Sequence, residues 1–237
     1  MAIEQDNFQR YSRQIFMEEV GVEGQRKIMS TKVLVVGAGG LGSPIIQYLA
    51  AAGIGKLGIV DHDVVELHNL NRQVIHQEQD VGKPKVHSAA RFVEAIHANL
   101  QYEVYSTRLE EELADSIFPL YDIIVDATDN FDTRYLINDS SVKWNKPLVY
   151  GSIQSFEGQL TVFNYQGSKN LRDLFPRSTD DSNLPTCDSL GVLGPLAGMI
   201  GNMMALQVLK LAIGLPVESN KLTLIDSLHW NFITVDY

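Results

Sequence analysis

The sequence predicts an α/β fold: a doubly wound, mostly parallel sheet, extended by antiparallel C-terminal strands and preceded by an N-terminal helical segment. Three observations carry this. The stretch "KVLVVGAGGLG" passes from a continuous apolar run into glycines, the pattern of a central parallel strand buried on both faces. Strand, glycine turn, helix and strand then follow within about thirty residues, a βαβ unit of the Rossmann-like kind. Beyond residue 153 the remaining strands succeed one another without helical crossovers, which predicts antiparallel additions to the sheet.

Taken in order, residues 8–29 read as helical, interrupted near Gly21 and Gly24. After the first strand, "SPIIQYLAAAG" predicts a helix with Ser43 as N-cap, Pro44 in the first turn and Gly53 as the stop. "KLGIVD" (56–61) is the second strand, 83–99 a helix, "QYEVYSTR" a strand and "EEELADSIF" a short helix. "YDIIVDAT" (121–128) is a buried strand, followed by a helix in "NFDTRYLINDSSVKWN" and a strand at 147–153. "EGQLTVFNY", "KLTLID" and "HWNFITVDY" are the antiparallel strands. Residues 166–190, rich in Ser, Asp, Asn and Pro, read as a long loop, and such loops are usually functional or mobile. The expected organisation is a single domain over 1–237: a helical segment (1–30), a nucleotide-binding half (31–150), and a portion with antiparallel strands, crossover loop and helix (151–237).

Composition narrows the function. The 237 residues are 45% hydrophobic and 20% charged, ordinary for a soluble globular protein. The formal net charge of -10, from 19 basic and 29 acidic residues, argues against a nucleic-acid partner. One cysteine makes no internal disulfide, and a polar N-terminus lacks the apolar core of a signal peptide, so a cytoplasmic setting is expected. Segment 190–213 has nearly the apolarity of a membrane span, but Pro195, Asn202, Gln207, Lys210 and four glycines favour a buried helix. Gly194, Gly198 and Gly201 would let it approach a neighbouring backbone, and no membrane association is expected.

The chemistry starts at the glycines. Gly37-Ala38-Gly39-Gly40-Leu41-Gly42 fits G-x-G-x-x-G between a strand and a helix, the context in which backbone N–H groups and a helix N-terminus cradle phosphates. Asp61 ends the second strand, where a carboxylate can accept from ribose hydroxyls. On these features alone the default is an NAD-linked oxidoreductase. Three further features suit a mononucleotide better. "DHDVVELHNLNRQ" carries Asn69 and Arg72, "VGKPKV" puts Lys83 and Lys85 at the next helix start, and "DATDN" places Asp126, Asp129 and Asn130 at the end of the fourth strand. Cleaving a triphosphate needs cations and usually Mg²⁺. Singly, Arg72 or Lys85 also reads as a surface cation, and Asp129 as a helix N-cap.

These motifs, with "RYSRQI" (10–15), "YGSIQSFEGQLTVF" and "TCDSLGVLGPLAGMIGNMMALQVLK", resemble the ThiF/MoeB/HesA family, bacterial relatives of ubiquitin-activating enzymes, over nearly the whole chain. The resemblance implies an ATP-dependent adenylyltransferase. It would activate the C-terminal glycine of a ubiquitin-like sulfur carrier protein (ThiS- or MoaD-like) as an acyl-adenylate, releasing pyrophosphate, for thiamin or molybdopterin biosynthesis. It implies that Gly37, Gly39 and Gly40 hold phosphates, Asp61 the ribose, and Asn69, Arg72 and Lys85 the triphosphate. Asp129 would carry Mg²⁺ and Asn130 line the nucleotide pocket. Arg13 would reach the nucleotide of a neighbouring subunit, which implies a homodimer. A sulfur donor protein, not identified by the sequence, would complete the pathway.

The sequence departs from the family in one respect. Many members hold a structural zinc with two C-x-x-C pairs, and neither pair exists here; "GSKNLRDLF" (167–175) stands where the first would fall. One cysteine cannot make a four-cysteine site, and His62, His68, His76, His87, His97 and His229 show no ligand spacing, so no zinc is expected. Cys187 matches a family cysteine that takes part in sulfur transfer in some members and is dispensable in others. A helix N-terminus would favour its thiolate, Asp188 would oppose it, and an inert thiol is the alternative.

Overall fold

The computed structural model describes residues 4–176 and 191–237. Its helices are α1 (Gln5–Ile15), α2 (Gly21–Ser30), α3 (Gly42–Ala52), α4 (Lys85–Ile96), α5 (Glu111–Ile117), α6 (Phe131–Lys143), α7 (Leu171–Leu174) and α8 (Gly194–Ile213). Its strands are β1 (Lys32–Val36), β2 (Lys56–Val60), β3 (Gln101–Tyr105), β4 (Ile123–Asp126), β5 (Leu148–Gln154), β6 (Glu157–Phe163), β7 (Lys221–Asp226) and β8 (Asn231–Asp236). All eight strands form one sheet in the order β3-β2-β1-β4-β5-β6-β7-β8. Strands β1 to β5 pair in parallel. From β5 onward the pairing is antiparallel, as expected, although α7 and α8 lie between β6 and β7.

The parallel part places the site. Val36 is in register with Val60 on one side and Asp126 on the other, so β1, β2 and β4 end level. The strand order reverses at β1, with β2 and β3 to one side and β4 and β5 to the other. That is a topological switch point, where the crevice outside the strand ends receives ligands.

The apolar run of β1 serves both faces. Val33 and Val35 pack with Ile45, Leu49, Ile200 and Met204 of α3 and α8. Leu34 and Val36 pack with Phe118, Tyr121 and Tyr150 on the opposite face. Each such side chain contributes about 1.5–3 kcal/mol through burial. Helix α8 is long and apolar enough to cross a membrane, and here it lies against α3, α2 and the β5–β6 hairpin. Its glycines divide. A Cβ on Gly201 would press on the Leu41 carbonyl and one on Gly194 on the Asn71 carbonyl, whereas Gly198 faces open space. Two of the three expected close approaches are therefore present.

Other local expectations shift. The N-terminal segment is two helices, separated by turns over 16–20 and restarted at Gly21 with φ +56°. Ser43 is not the N-cap of α3: the helix begins at Gly42, and the Ser43 hydroxyl donates back to the Gly39 carbonyl at 2.8 Å. Gly53 does stop that helix, at φ +83°. Helix α4 starts at Lys85, so Lys83 precedes it. The stretch expected as loop contains α7 at its start, capped by the Asn170 side chain. Its later part lies outside the described residues.

Candidate functional site

A cleft of about 300 Å³ opens at the ends of β1, β2 and β4. The glycine turn forms one wall, with Gly37, Gly39 and Gly40 all lining it. Gly37 sits at φ +101°, and a Cβ there would come within 2.6 Å of the Ala127 carbonyl oxygen. Only glycine fits such a position. Among the described residues the N–H groups of Gly39 and Gly40 donate to no other group. Unpaired amides ahead of a helix are an anion-binding arrangement.

Asp61 faces this turn. Its Oδ2 accepts from the Ala38 N–H at 2.7 Å and its Oδ1 from the Asp63 N–H at 2.8 Å. A carboxylate has about four lone-pair sites, so acceptor capacity remains for ribose hydroxyls. Asp63 in turn takes the ammonium of Lys85, Nζ to Oδ2 at 2.8 Å. Burial works to raise the Asp63 carboxyl, but the Lys85 hydrogen bond and the charges of Lys85, His62 and Arg108 outweigh it and hold its pKa below the usual range. Lys85 itself is 7% exposed, at the first residue of α4. It is a buried cation at the cleft wall, which decides against a freely solvated surface lysine.

Asn69 and Arg72 occupy the far rim. The Asn69 Oδ1 accepts from the Glu66 N–H at 2.9 Å and so closes the short turn that carries both residues. Arg72 Nη1 donates to the His68 carbonyl at 2.9 Å. Lys83 does not line the cleft; its Nζ lies 3.9 Å from Asp80.

On the β4 side, Asp129 and Asn130 reach the cleft and Asp126 does not. Asp126 is wholly buried beneath it, where its Oδ1 accepts from the Thr128 N–H at 2.9 Å and the Thr128 hydroxyl at 2.6 Å. Burial pushes the Asp126 carboxyl up against the pull of Arg134 and Thr128. The N-cap of α6 is Asn130, whose Oδ1 accepts from the Thr133 N–H at 2.9 Å. Asp129 is thereby released from the capping role that sequence left open, and stands exposed at the cleft mouth.

Two residues escaped sequence reasoning. Arg134, 3% exposed, lies with its guanidinium 5.3 Å from the ring centres of Phe131 and Tyr150, and donates to the Thr128 carbonyl at 2.9 Å. Its position one helical turn beyond Asn130 was the available signal. His76 is a buried histidine that bonds the glycine turn itself. No spacing in the sequence betrays a partner 38 residues away. Arg13 is exposed on α1 and does not line the cleft of its own chain. Cys187 lies outside the described residues.

A mixed sheet with a parallel core, a glycine turn, a carboxylate just past β2 and cations at its switch point defines a Rossmann-like α/β domain. The chain belongs to the ThiF family, whose family model matches residues 11–236. It is 48% identical over 225 residues to the adenylyltransferase and sulfurtransferase MOCS3 of Arabidopsis thaliana, covering 94% of this chain and 48% of the relative. It is 44% identical over 232 residues to the protein of that name from Sus scrofa, covering 98% and 51%. The chain thus spans about half the length of these relatives. Among solved structures, the fold matches PaaA with a TM-score of 0.84 at 21% identity, covering 99% of this chain and 75% of that one. It matches E. coli MccB with ATP at 0.83 and 23%, covering 96% and 71%. These comparisons give no support to an NAD-linked oxidoreductase.

Proposed function

We propose that this chain is an ATP-dependent adenylyltransferase that activates the C-terminal glycine of a ubiquitin-like sulfur carrier protein, for thiamin or molybdopterin biosynthesis. The observation that carries the reading is the meeting of the glycine turn, Asp61, Arg72, Lys85 and Asp129 on one cleft. The relatives' name, adenylyltransferase and sulfurtransferase, supports it.

In the proposed reaction a carboxylate oxygen of the carrier's terminal glycine attacks the α-phosphorus of ATP. The bond from that phosphorus to the bridging oxygen of the β-phosphate breaks, its electron pair leaves with pyrophosphate, and an acyl-adenylate remains. No general base is required, because the carboxylate is already ionised at neutral pH. Asp61 orients the ribose, the Gly39 and Gly40 N–H groups meet the phosphates, and Asn69 lines the triphosphate path. Arg72 and Lys85 offset the repulsion between two anions and stabilise charge on the leaving group. Lys85 must exchange Asp63 for phosphate, or share itself between them.

Asp129 would hold Mg²⁺: an exposed carboxylate at the cleft mouth offers the hard oxygen that ion takes. Bound there, the ion would supply charge neutralisation on the triphosphate. Arg13, exposed on a different part of the chain, is proposed to complete the site of a second copy in a homodimer. The enzyme is proposed to be cytoplasmic and zinc-free, with a sulfur donor protein acting after adenylation and Cys187 serving that later transfer. ATP–pyrophosphate exchange with candidate carriers tests the reading: exchange that depends on one carrier is expected, and ATP binding without exchange for any carrier would contradict it.

A further inference from the structure

Beneath the glycine turn runs a line of buried hydrogen bonds that the proposed reaction leaves unused. Ala38 is held on both sides, its N–H by Asp61 Oδ2 at 2.7 Å and its carbonyl oxygen by His76 Nε2 at 2.9 Å. The other ring nitrogen, Nδ1, lies 2.8 Å from the Ser88 hydroxyl of α4. That hydroxyl lies 2.6 Å from Asp80 Oδ2, and Arg91 closes on Asp80 Oδ1. His76, Ser88 and Asp80 are at most 5% exposed.

Proton counting fixes the ring. A carbonyl oxygen only accepts, so the contact to Ala38 requires a proton on Nε2. In the neutral ring Nδ1 then accepts. Asp80 also accepts only: burial acts to raise its carboxyl, but donors from Ser88, Gln77 and Arg91 hold its pKa below the usual range. Ser88 therefore has one proton and two claimants. Taking up a proton at Nδ1 resolves the conflict, since the cation donates to Ser88 and Ser88 to Asp80. In both states the Nε2–H stays on Ala38. The charged groups around the ring are Asp61 just after β2, Asp80 in the turn before α4, and Lys85 at the start of α4, with Arg91 behind Asp80. Burial, aided by Lys85, pulls the imidazole pKa below its ordinary value against the Ala38 carbonyl and the two carboxylates. In its neutral form the ring carries its proton on Nε2.

We infer that His76 is a positioning residue for the phosphate-binding turn, its Nε2–H fixing the Ala38 carbonyl while Asp61 fixes the Ala38 N–H, so that the Gly39 and Gly40 amides are preset for a nucleotide's phosphates. The inference rests on the nucleotide reading for the ligand, and on geometry alone for the clamp.

Two measurements test it. Ring-nitrogen NMR of ¹⁵N-histidine-labelled protein at pH 8, with His76 assigned by its absence in His76→Gln, should show a protonated Nε2 and a bare Nδ1. The opposite tautomer overturns the clamp. Calorimetric titration with ATP·Mg²⁺ should show His76→Ala weakened about tenfold, the worth of one buried hydrogen bond, and His76→Gln within about threefold because its amide can donate to Ala38. Wild-type affinity in His76→Ala, or equal weakening of both variants, overturns the inference. Failure of the wild type to bind ATP·Mg²⁺ would instead count against the nucleotide reading, and the NMR result would still decide the clamp. If His76→Ala does not fold, the tautomer and the His76→Gln titration remain decisive.

Discussion

Lys85 Nζ and Asp63 Oδ2 form a 2.8 Å ion pair at the wall of the cleft, with the lysine buried and the aspartate half exposed. A buried ammonium with, among the described residues, a single displaceable carboxylate partner is a cation held ready for a more highly charged anion. Replacing Lys85 by Ala should lower ATP–pyrophosphate exchange by about 10²–10³, the loss typical of removing one donor to a developing charge. Thermal unfolding should move little, because Asp63 keeps solvent contact. Exchange at the wild-type rate would remove Lys85 from the reaction.

Asp129 is released from capping by Asn130, so its substitution separates chemistry from folding. Asp129→Asn should raise the Mg²⁺ concentration needed for half-maximal exchange at least about tenfold, since the ion loses an anionic oxygen ligand. The melting temperature should stay close to wild type. An unchanged Mg²⁺ titration curve would show that another residue holds the ion.

Gly201 meets the Leu41 carbonyl where α8 crosses the start of α3. Gly201→Ala forces two backbones apart and should cost about 1–3 kcal/mol in denaturant unfolding. Gly198→Ala, on the same helix but with open space beside it, should be neutral or slightly stabilising through helix propensity. Equal effects of the two would contradict the packing described for α8.

His76 and His97 both have pKa values lowered chiefly by burial. Their contribution to stability is present above the unfolded histidine value of about 6.5 and is lost as pH falls through the lower folded values. Unfolding free energy should therefore decline on acidification below about pH 6.5, and a His76→Gln/His97→Gln protein should decline less over the same range. Asp126, whose pKa is raised, acts in the opposite sense but is common to both proteins and cancels in the difference. Parallel curves for the two proteins would contradict these directions.

Much of this was legible in the sequence, for physical reasons. The βαβ unit announces itself through an unbroken apolar strand and a glycine turn, and the three motifs that follow lie after β2, at the start of α4 and at the end of β4, which the doubly wound topology brings to one edge of the sheet. The contacts that were not legible depend on tertiary register. Sequence cannot tell that Ser43 bonds backward to Gly39 instead of capping, or that Asn130 rather than Asp129 takes the cap. Nor can it pair His76 with Ala38, or bury Arg134 between two rings. Lys83 and Lys85 look equivalent in "GKPK", and only the start of α4 points one of them to the cleft and leaves the other near Asp80.

The central claim is tested most directly by ATP–pyrophosphate exchange, measured with the wild-type chain and each ubiquitin-like carrier of its own organism. The account predicts exchange that requires both Mg²⁺ and a carrier with its terminal glycine intact, that falls with Lys85→Ala, and that survives Cys187→Ser. Exchange with no carrier at all, or none despite measured ATP binding, would contradict it.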